Sequence, residues 1–308
     1  MIPTKSQRAR LAIALSIGVA YFWLTHGVNA LSDPRKGAGD FAWPLSAARA
    51  VLTGHDPYLT TTKFFYPYPT AFFALPFTPL EPRLAGEVMV GLGCAALAFV
   101  VTRSAWWPLI MFLSGPALQV AVSVQLTPWL VAASLVPACL GLLVIKPTVA
   151  VGLLGRQTAV RALVYAAIGG GVLLALSFAL DIHWLAHWRA TIRAEPDTMQ
   201  YTAPILSWVG MPLGLALFRW RDPDARLILG LACVPQNAFF YDQLPLLLVA
   251  RTRVQMLVLT FCSVLAMAVA LHATIDRHTP ATTSAGLLPF VVMGIYYPAL
   301  VMVLRRAA

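Results

Sequence analysis

The sequence predicts an all-α, polytopic membrane protein, and three observations carry that expectation. Of 308 residues, 59% are apolar and only 11% are charged, against about 25% charged in a soluble domain. The stretches free of Asp, Glu, Lys and Arg are long: 11–32, 64–80, 88–102, 104–145, 162–180, 198–218, 227–241, 254–275 and 278–304. They are apolar on all sides and do not alternate as barrel strands would, so helices are expected. This composition excludes a cytosolic enzyme, a disordered chain, a coiled coil and a collagen-like fibre. A single integral membrane domain over 1–308 is expected. Its runs give room for roughly 8–11 membrane helices, short broken hairpins included.

The first helix follows from Lys5, Arg8 and Arg10, which precede the apolar run beginning at Leu11 and place the N-terminus in the cytoplasm. Val28-Asn29-Ala30 loosely resembles a signal-peptide cleavage site. The run before it is long for a signal core and holds Tyr21, Phe22 and Trp23, so an uncleaved helix is expected. The loop 29–66 then lies outside. Run 64–80 is expected to return to the cytoplasm, with Glu81-Pro82-Arg83 as the turn, and 84–102 to go out again.

Run 104–145 is interrupted by Gly115-Pro116, Gln125, Pro128 and Pro137. Reading 105–124 as a hairpin from the outer face and 126–145 as the crossing puts Lys146 and the later arginines inside, as the positive-inside rule asks. By the same rule 227–250 is a hairpin entered from inside, with Asp242 in its interior. Irregular backbone at membrane depth needs cover from protein or a water-filled cavity, so these breaks imply a cavity. The net charge of +10 is scattered between spans and forms no basic run, so no nucleic-acid partner is expected. Cys94, Cys139, Cys233 and Cys262 lie in apolar runs without ligand spacing and read as small buried residues. Gly91-Leu92-Gly93 and Gly169-Gly170-Gly171 read as close helix packing.

The outer loop carries the chemical signal. In 39–58, Phe41, Leu45, Ala48 and Leu52 fall on one side of a helix, and Ser46, Arg49 and Thr53 on the other. This predicts an interfacial amphipathic helix with Asp40 at its N-cap, ended by Gly54 and followed by an Asp56-Pro57 turn. Phe64-Phe65-Tyr66-Pro67-Tyr68-Pro69 leads into the next run.

This loop, with Tyr66-Pro67-Tyr68-Pro69, resembles the first outer loop of glycosyltransferase family 87. So do Ser114-Gly115-Pro116-Ala117-Leu118-Gln119 with Gln125-Leu126-Thr127-Pro128, and Ile145-Lys146-Pro147. The likeness covers about 40–160. It implies a GT-C-type membrane enzyme that uses a polyprenyl-phosphate sugar, often mannose, as donor and a glycolipid or glycan as acceptor. It implies a site on the outer side of the plasma membrane, and Asp40 as the catalytic acid residue of the loop.

The residues are consistent with that chemistry. Transfer from a lipid phosphate needs at minimum one carboxylate as general base, and Asp40 suits the role in a single inverting displacement; its plainer reading is an N-cap. Arg49, His55 and Lys63 are the local cations for a donor phosphate, with a headgroup contact as the plainer reading of Arg49. Asp56 reads first as a turn former and second as a substrate contact. Tyr58 and Tyr66 are candidate substrate contacts or interfacial aromatics. Gln125 lines the cavity or pairs broken backbone. His183 and His187 share a helix face and are candidates for donor or acceptor binding, against the plainer reading of a solvated interfacial helix. No metal is expected, since no Glu stands beside the first His. Asp242 is an intramembrane acid and a functional suspect; Glu87 reads as structural. No cofactor beyond the lipid-linked sugar is required. A transporter of a small solute or lipid-linked sugar is the alternative, with broken helices but no repeated sequence. A non-catalytic subunit leaves the Asp40 loop unexplained.

Overall fold

The computed structural model describes residues 5–31, 37–60, 64–194, 202–236, 239–276 and 284–306. Among these no strand occurs; Thr202 and Gln236 form one isolated bridge. The α-helices are α1 (Lys5–Leu31), α2 (Ala42–Leu52), α3 (Pro57–Thr60), α4 (Pro69–Ala74), α5 (Pro82–Val101), α6 (Gly115–Ser123) and α7 (Thr127–Ser134). They continue with α8 (Pro147–Gly155), α9 (Val160–Leu180), α10 (Trp184–Arg193), α11 (Pro223–Cys233), α12 (Arg253–Asp276), α13 (Ser284–Val291) and α14 (Tyr297–Leu304). Tight 3-10 stretches fill several gaps, notably Trp107–Leu113, Pro137–Ile145, Met211–Arg219 and Phe240–Val249, and a π turn over Val292–Tyr296 joins α13 to α14.

Among the described residues, 5 helices are long and apolar enough to cross a membrane: Ser6–Leu31, Pro82–Val101, Val160–Leu180, Arg253–Ala273 and Gly286–Leu304. The other charge-free runs fold as short pieces, many opened by proline in the first turn, where a missing N–H costs least. The chain divides into two compact units. The first is Met1–Ser104, Val120–Pro147 and Arg161–Glu195; the second is Ala105–Gln119, Thr148–Val160 and Pro196–Ala308.

In the first unit α1 and α5 form an antiparallel pair. The contact is close because both helices place glycine at the crossing: a Cβ on Gly18 would lie 2.8 Å from the Gly91 carbonyl oxygen. At one end the Arg10 guanidinium donates to the Phe99 carbonyl and to Thr102 Oγ1. At the other end Glu87, 2% exposed, receives Arg83 Nε at 3.0 Å and His26 Nδ1 at 3.1 Å. Arg83 also donates to the His26 carbonyl. Glu87 is thus a clamp between the two helices, the structural role its sequence suggests.

This pairing corrects the expected course of the chain. The start of α5 lies beside the end of α1, so everything between them leaves and returns at one end of the pair. Run 64–80 holds no helix long enough to cross: α4 has only six residues, about 9 Å of helix, and passes directly into a 3-10 turn at Leu75–Phe77. A second correction concerns 126–145. α7 descends along α5, with Trp129 Nε1 donating to the Met89 carbonyl at 2.9 Å and Arg103 reaching the Leu135 carbonyl. The 3-10 stretch then climbs back against α9, Gly141 backbone on Gly169 backbone, and delivers Lys146 beside Gln125. Residues 126–145 therefore fold back on themselves, where a single crossing was expected.

α2 exists as expected, but its covered face differs. Phe41, Leu45, Ala47, Ala48 and Ala50 are buried while Leu52 is 63% exposed. Packing against α4 covers the small residues on the flank and leaves the helix end outside. α9 exposes Val160, Leu163, Val164, Ile168, Val172 and Leu176, an apolar surface suited to lipid and not to water.

In the second unit the hairpin expected over 227–250 is present. α11 and Phe240–Val249 meet at their base through ion pairs. Asp224 contacts Arg156, Arg251 and Arg306, and Asp222 contacts Arg251 and Arg306. Asp242 is buried on the returning limb.

Candidate functional site

Asp40 does not cap α2. It lies inside the 3-10 turn Gly39–Phe41; the cap position of α2 is Phe41, with no side-chain hydrogen bond. Gly39 holds φ at +54°, and a Cβ there would stand 2.8 Å from Val124 Cγ2 and 3.0 Å from the Ser123 carbonyl oxygen. Only glycine fits both that conformation and that contact. Across the contact Val124 itself has φ of 54°, a left-handed conformation that a β-branched residue adopts at a cost of about 1–3 kcal/mol.

The strained joint aims the next residue. Gln125, 1% exposed, donates from Nε2 to Asp40 Oδ2 in a short hydrogen bond. Its Oε1 accepts from Lys146 Nζ at 3.0 Å. This amide orientation is the one that serves both neighbours, because a carboxylate only accepts and an ammonium only donates. Lys146 is 8% exposed, and the Tyr66 ring centroid lies 5.9 Å from its Nζ. Thr70 Oγ1 fixes the approach by donating to the Ile145 carbonyl at 2.7 Å. Tyr58 Oη donates to the Tyr66 carbonyl at 3.0 Å. A carboxylate, an amide, an ammonium and an aromatic ring thus stand in series. Chemically the group can take a proton at one end and neutralise an anion at the other.

The other expected residues are distributed differently. Arg49 donates to the carbonyls of Thr78 and Leu80, so it ties α2 to the turn after α4. His55 is exposed and pairs locally with Thr53 Oγ1. Lys63 lies outside the described residues. Asp56 forms the expected turn, its Oδ1 accepting from the Tyr58 amide at 2.8 Å. His183 is exposed and does not share a ligand with His187; instead His187 Nδ1 approaches Asp56 Oδ2 and Asp181 Oδ2. Burial raises the Tyr58 phenol above its ordinary value, and the charge of Asp56, with smaller contributions from Tyr68 and Asp181, raises it further. Asp242 belongs to the second unit, near Gln236, Gln243 and Tyr296. A cavity of about 730 Å³ in the second unit is lined by α12 and by 293–306, with Arg306 of the second hairpin's base at its edge.

Lys146 is the residue that sequence reasoning missed as a site member. Its signal was present: three prolines after Ser114 divide 104–145 into pieces too short to cross singly. Val124 carried no sequence signal.

Fold and composition together define an α-helical protein with the long apolar helices of a membrane protein. No protein-family model matches the chain, and no curated protein and no solved structure is similar to it.

Proposed function

We propose that the protein is a GT-C-type membrane glycosyltransferase. It moves a sugar, mannose being the usual one in the family it resembles, from a polyprenyl phosphate to an acceptor hydroxyl of a glycolipid or glycan. The observation that carries this reading is the Asp40–Gln125–Lys146 series. In the reaction the acceptor oxygen attacks the anomeric carbon and its proton passes to the Asp40 carboxylate. The bond from that carbon to the phosphate oxygen breaks, and the phosphate leaves with its negative charge facing Lys146. Gln125 bonds to both and so fixes base and cation in place. The outcome is inversion, because a retaining route needs a second nucleophilic carboxylate close by. Asp56, the nearest in sequence, is engaged by the Tyr58 amide and His187. Asp40 and Lys146 fall on the outer side of the plasma membrane if the basic N-terminus is cytoplasmic.

The transporter reading gains less support. Both units contain a hairpin, but one base is an amide relay and the other an arginine–aspartate network, so the hairpins are not repeats of one design. The test is transfer by the purified chain in liposomes from polyprenyl-phosphate hexoses and pentoses. Turnover lost in Asp40→Asn and in Lys146→Met supports the proposal. Unchanged turnover in Asp40→Asn, or solute uptake without any glycosylated product, overturns it.

A further inference from the structure

A second polar cluster stands apart from the Asp40 series. Asp56 precedes α3, Asp181 lies between α9 and α10, and His187 is on α10. One ligand atom from each lies within 4.8 Å of the other two. His187 Nδ1 is 2.7 Å from Asp56 Oδ2 and 3.3 Å from Asp181 Oδ2. By distance these are ion pairs, yet by direction they are not hydrogen bonds: both His187 Nδ1 and Asp181 Oδ2 are fully enclosed atoms without a hydrogen-bond partner. The three atoms are thus crowded together without a hydrogen bond that would account for it.

Each aspartate is also held so that one oxygen is left over. Asp56 Oδ1 accepts from the Tyr58 amide, and Asp181 Oδ1 accepts from the His183 amide, both at 2.8 Å. The two Oδ2 atoms then face the same imidazole nitrogen. One N–H cannot point at two carboxylates, and one proton leaves a net negative charge. A divalent ion satisfies all three atoms. Three ligands on one small cation are roughly 3 to 3.4 Å apart at ordinary metal–ligand bond lengths, close to the spacings seen here.

We infer that Asp56, Asp181 and His187 form a divalent-cation site of two carboxylate oxygens and one imidazole nitrogen. This donor set suits Mn²⁺ or Zn²⁺ better than an all-oxygen ion such as Ca²⁺. The ion pins the α3 segment to the corner between α9 and α10. Trp188 Nε1 donates to the Phe65 carbonyl at 2.8 Å across the same junction. Through Tyr58, two residues from Asp56, the ion also steadies Tyr66 beside Lys146. The inference does not depend on the reaction proposed above.

The experiment uses the full chain in detergent, stripped with chelator and titrated with Mn²⁺ under electron paramagnetic resonance. Bound Mn²⁺ with nitrogen coupling from one imidazole is expected. Asp181→Asn, which keeps the oxygen that accepts from the His183 amide, should weaken binding by more than about tenfold. His183→Ala should leave it unchanged. Terbium offers a parallel reading on the same protein, since Trp184 and Trp188 flank His187 in sequence and can sensitise its emission. No binding at millimolar Mn²⁺, binding without nitrogen coupling, or full binding by Asp181→Asn overturns the inference.

Discussion

The two hairpins close their bases in opposite ways. In the second unit, Asp222 and Asp224 meet Arg156, Arg251 and Arg306 directly, with contacts from 2.7 to 3.4 Å. The two carboxylates share Arg251 and Arg306, Asp224 has Arg156 besides, and the arrangement holds chain to chain. In the first unit Asp40 and Lys146 are joined through the Gln125 amide, and a strained Val124 maintains the join. The ion network of the second base holds chain to chain, whereas the first base sets a carboxylate, an amide and an ammonium side by side. The contrast is why the first base is the chemical candidate although the second has more charge.

The sharpest way to break this contrast is to remove one carboxylate at each base. Asp40→Asn should lower the rate of sugar transfer about a hundred- to ten-thousandfold, the range for loss of a general base. Thermal unfolding in detergent should barely move, because Asp40 caps no helix. Asp224→Ala should do the reverse. Its side chain is 3% exposed and faces three guanidiniums; removal leaves Arg156 without its carboxylate while Arg251 and Arg306 keep Asp222, and costs about 1.5–3 kcal/mol of stability. A chemical or thermal unfolding series distinguishes the pair: a stability loss at position 40 equal to that at 224 would erase the distinction.

A finer probe is Gly39→Ala. The added methyl meets Val124 Cγ2 and the Ser123 carbonyl, and alanine resists the φ of +54°. About 1–3 kcal/mol of destabilisation is expected. Transfer should fall further than stability accounts for, since the displaced Val124 carries Gln125 away from Asp40. A variant that loses stability but keeps full turnover would show that the joint is structural only.

How much of this was legible in the sequence follows from what each residue type can signal. The helical class was legible, since long runs lacking charge admit no other membrane-spanning form except a barrel. Asp40 and Gln125 were legible as polar groups at breaks. Their mutual contact was not, because no local pattern joins residues 85 positions apart. The hairpin at 126–145 was misassigned for a definite reason. Counting arginines constrains only the number of net crossings, and either half of 104–145 could supply one. Asp181 was overlooked beside two histidines because helical spacing favours His183 with His187, whereas the fold brings Asp56 into the pair's place.

The smallest effect tests the saturated base through pH. Burial alone would raise the Asp222 carboxyl, but hydrogen bonds from Arg306 and the Asp224 amide, with the Arg306 and Arg251 charges, hold it below its ordinary value of 3.8. A carboxyl whose value is depressed on folding binds protons more readily when unfolded. Its stabilising contribution is therefore full above the unfolded value, near 3.8, and is lost as pH falls through the folded one. The unfolding midpoint of the wild type should drop as acid is added below that value. Other carboxyls share the drop, so the informative quantity is the difference between wild type and Asp222→Asn. That difference should be constant from neutral pH down to about the ordinary carboxylate range and should shrink below it. A difference that stays constant into strong acid would mean that the network does not distinguish ionised from neutral Asp222. The base of the second hairpin would then owe its stability to packing and to the α11 cap that Asp222 also provides.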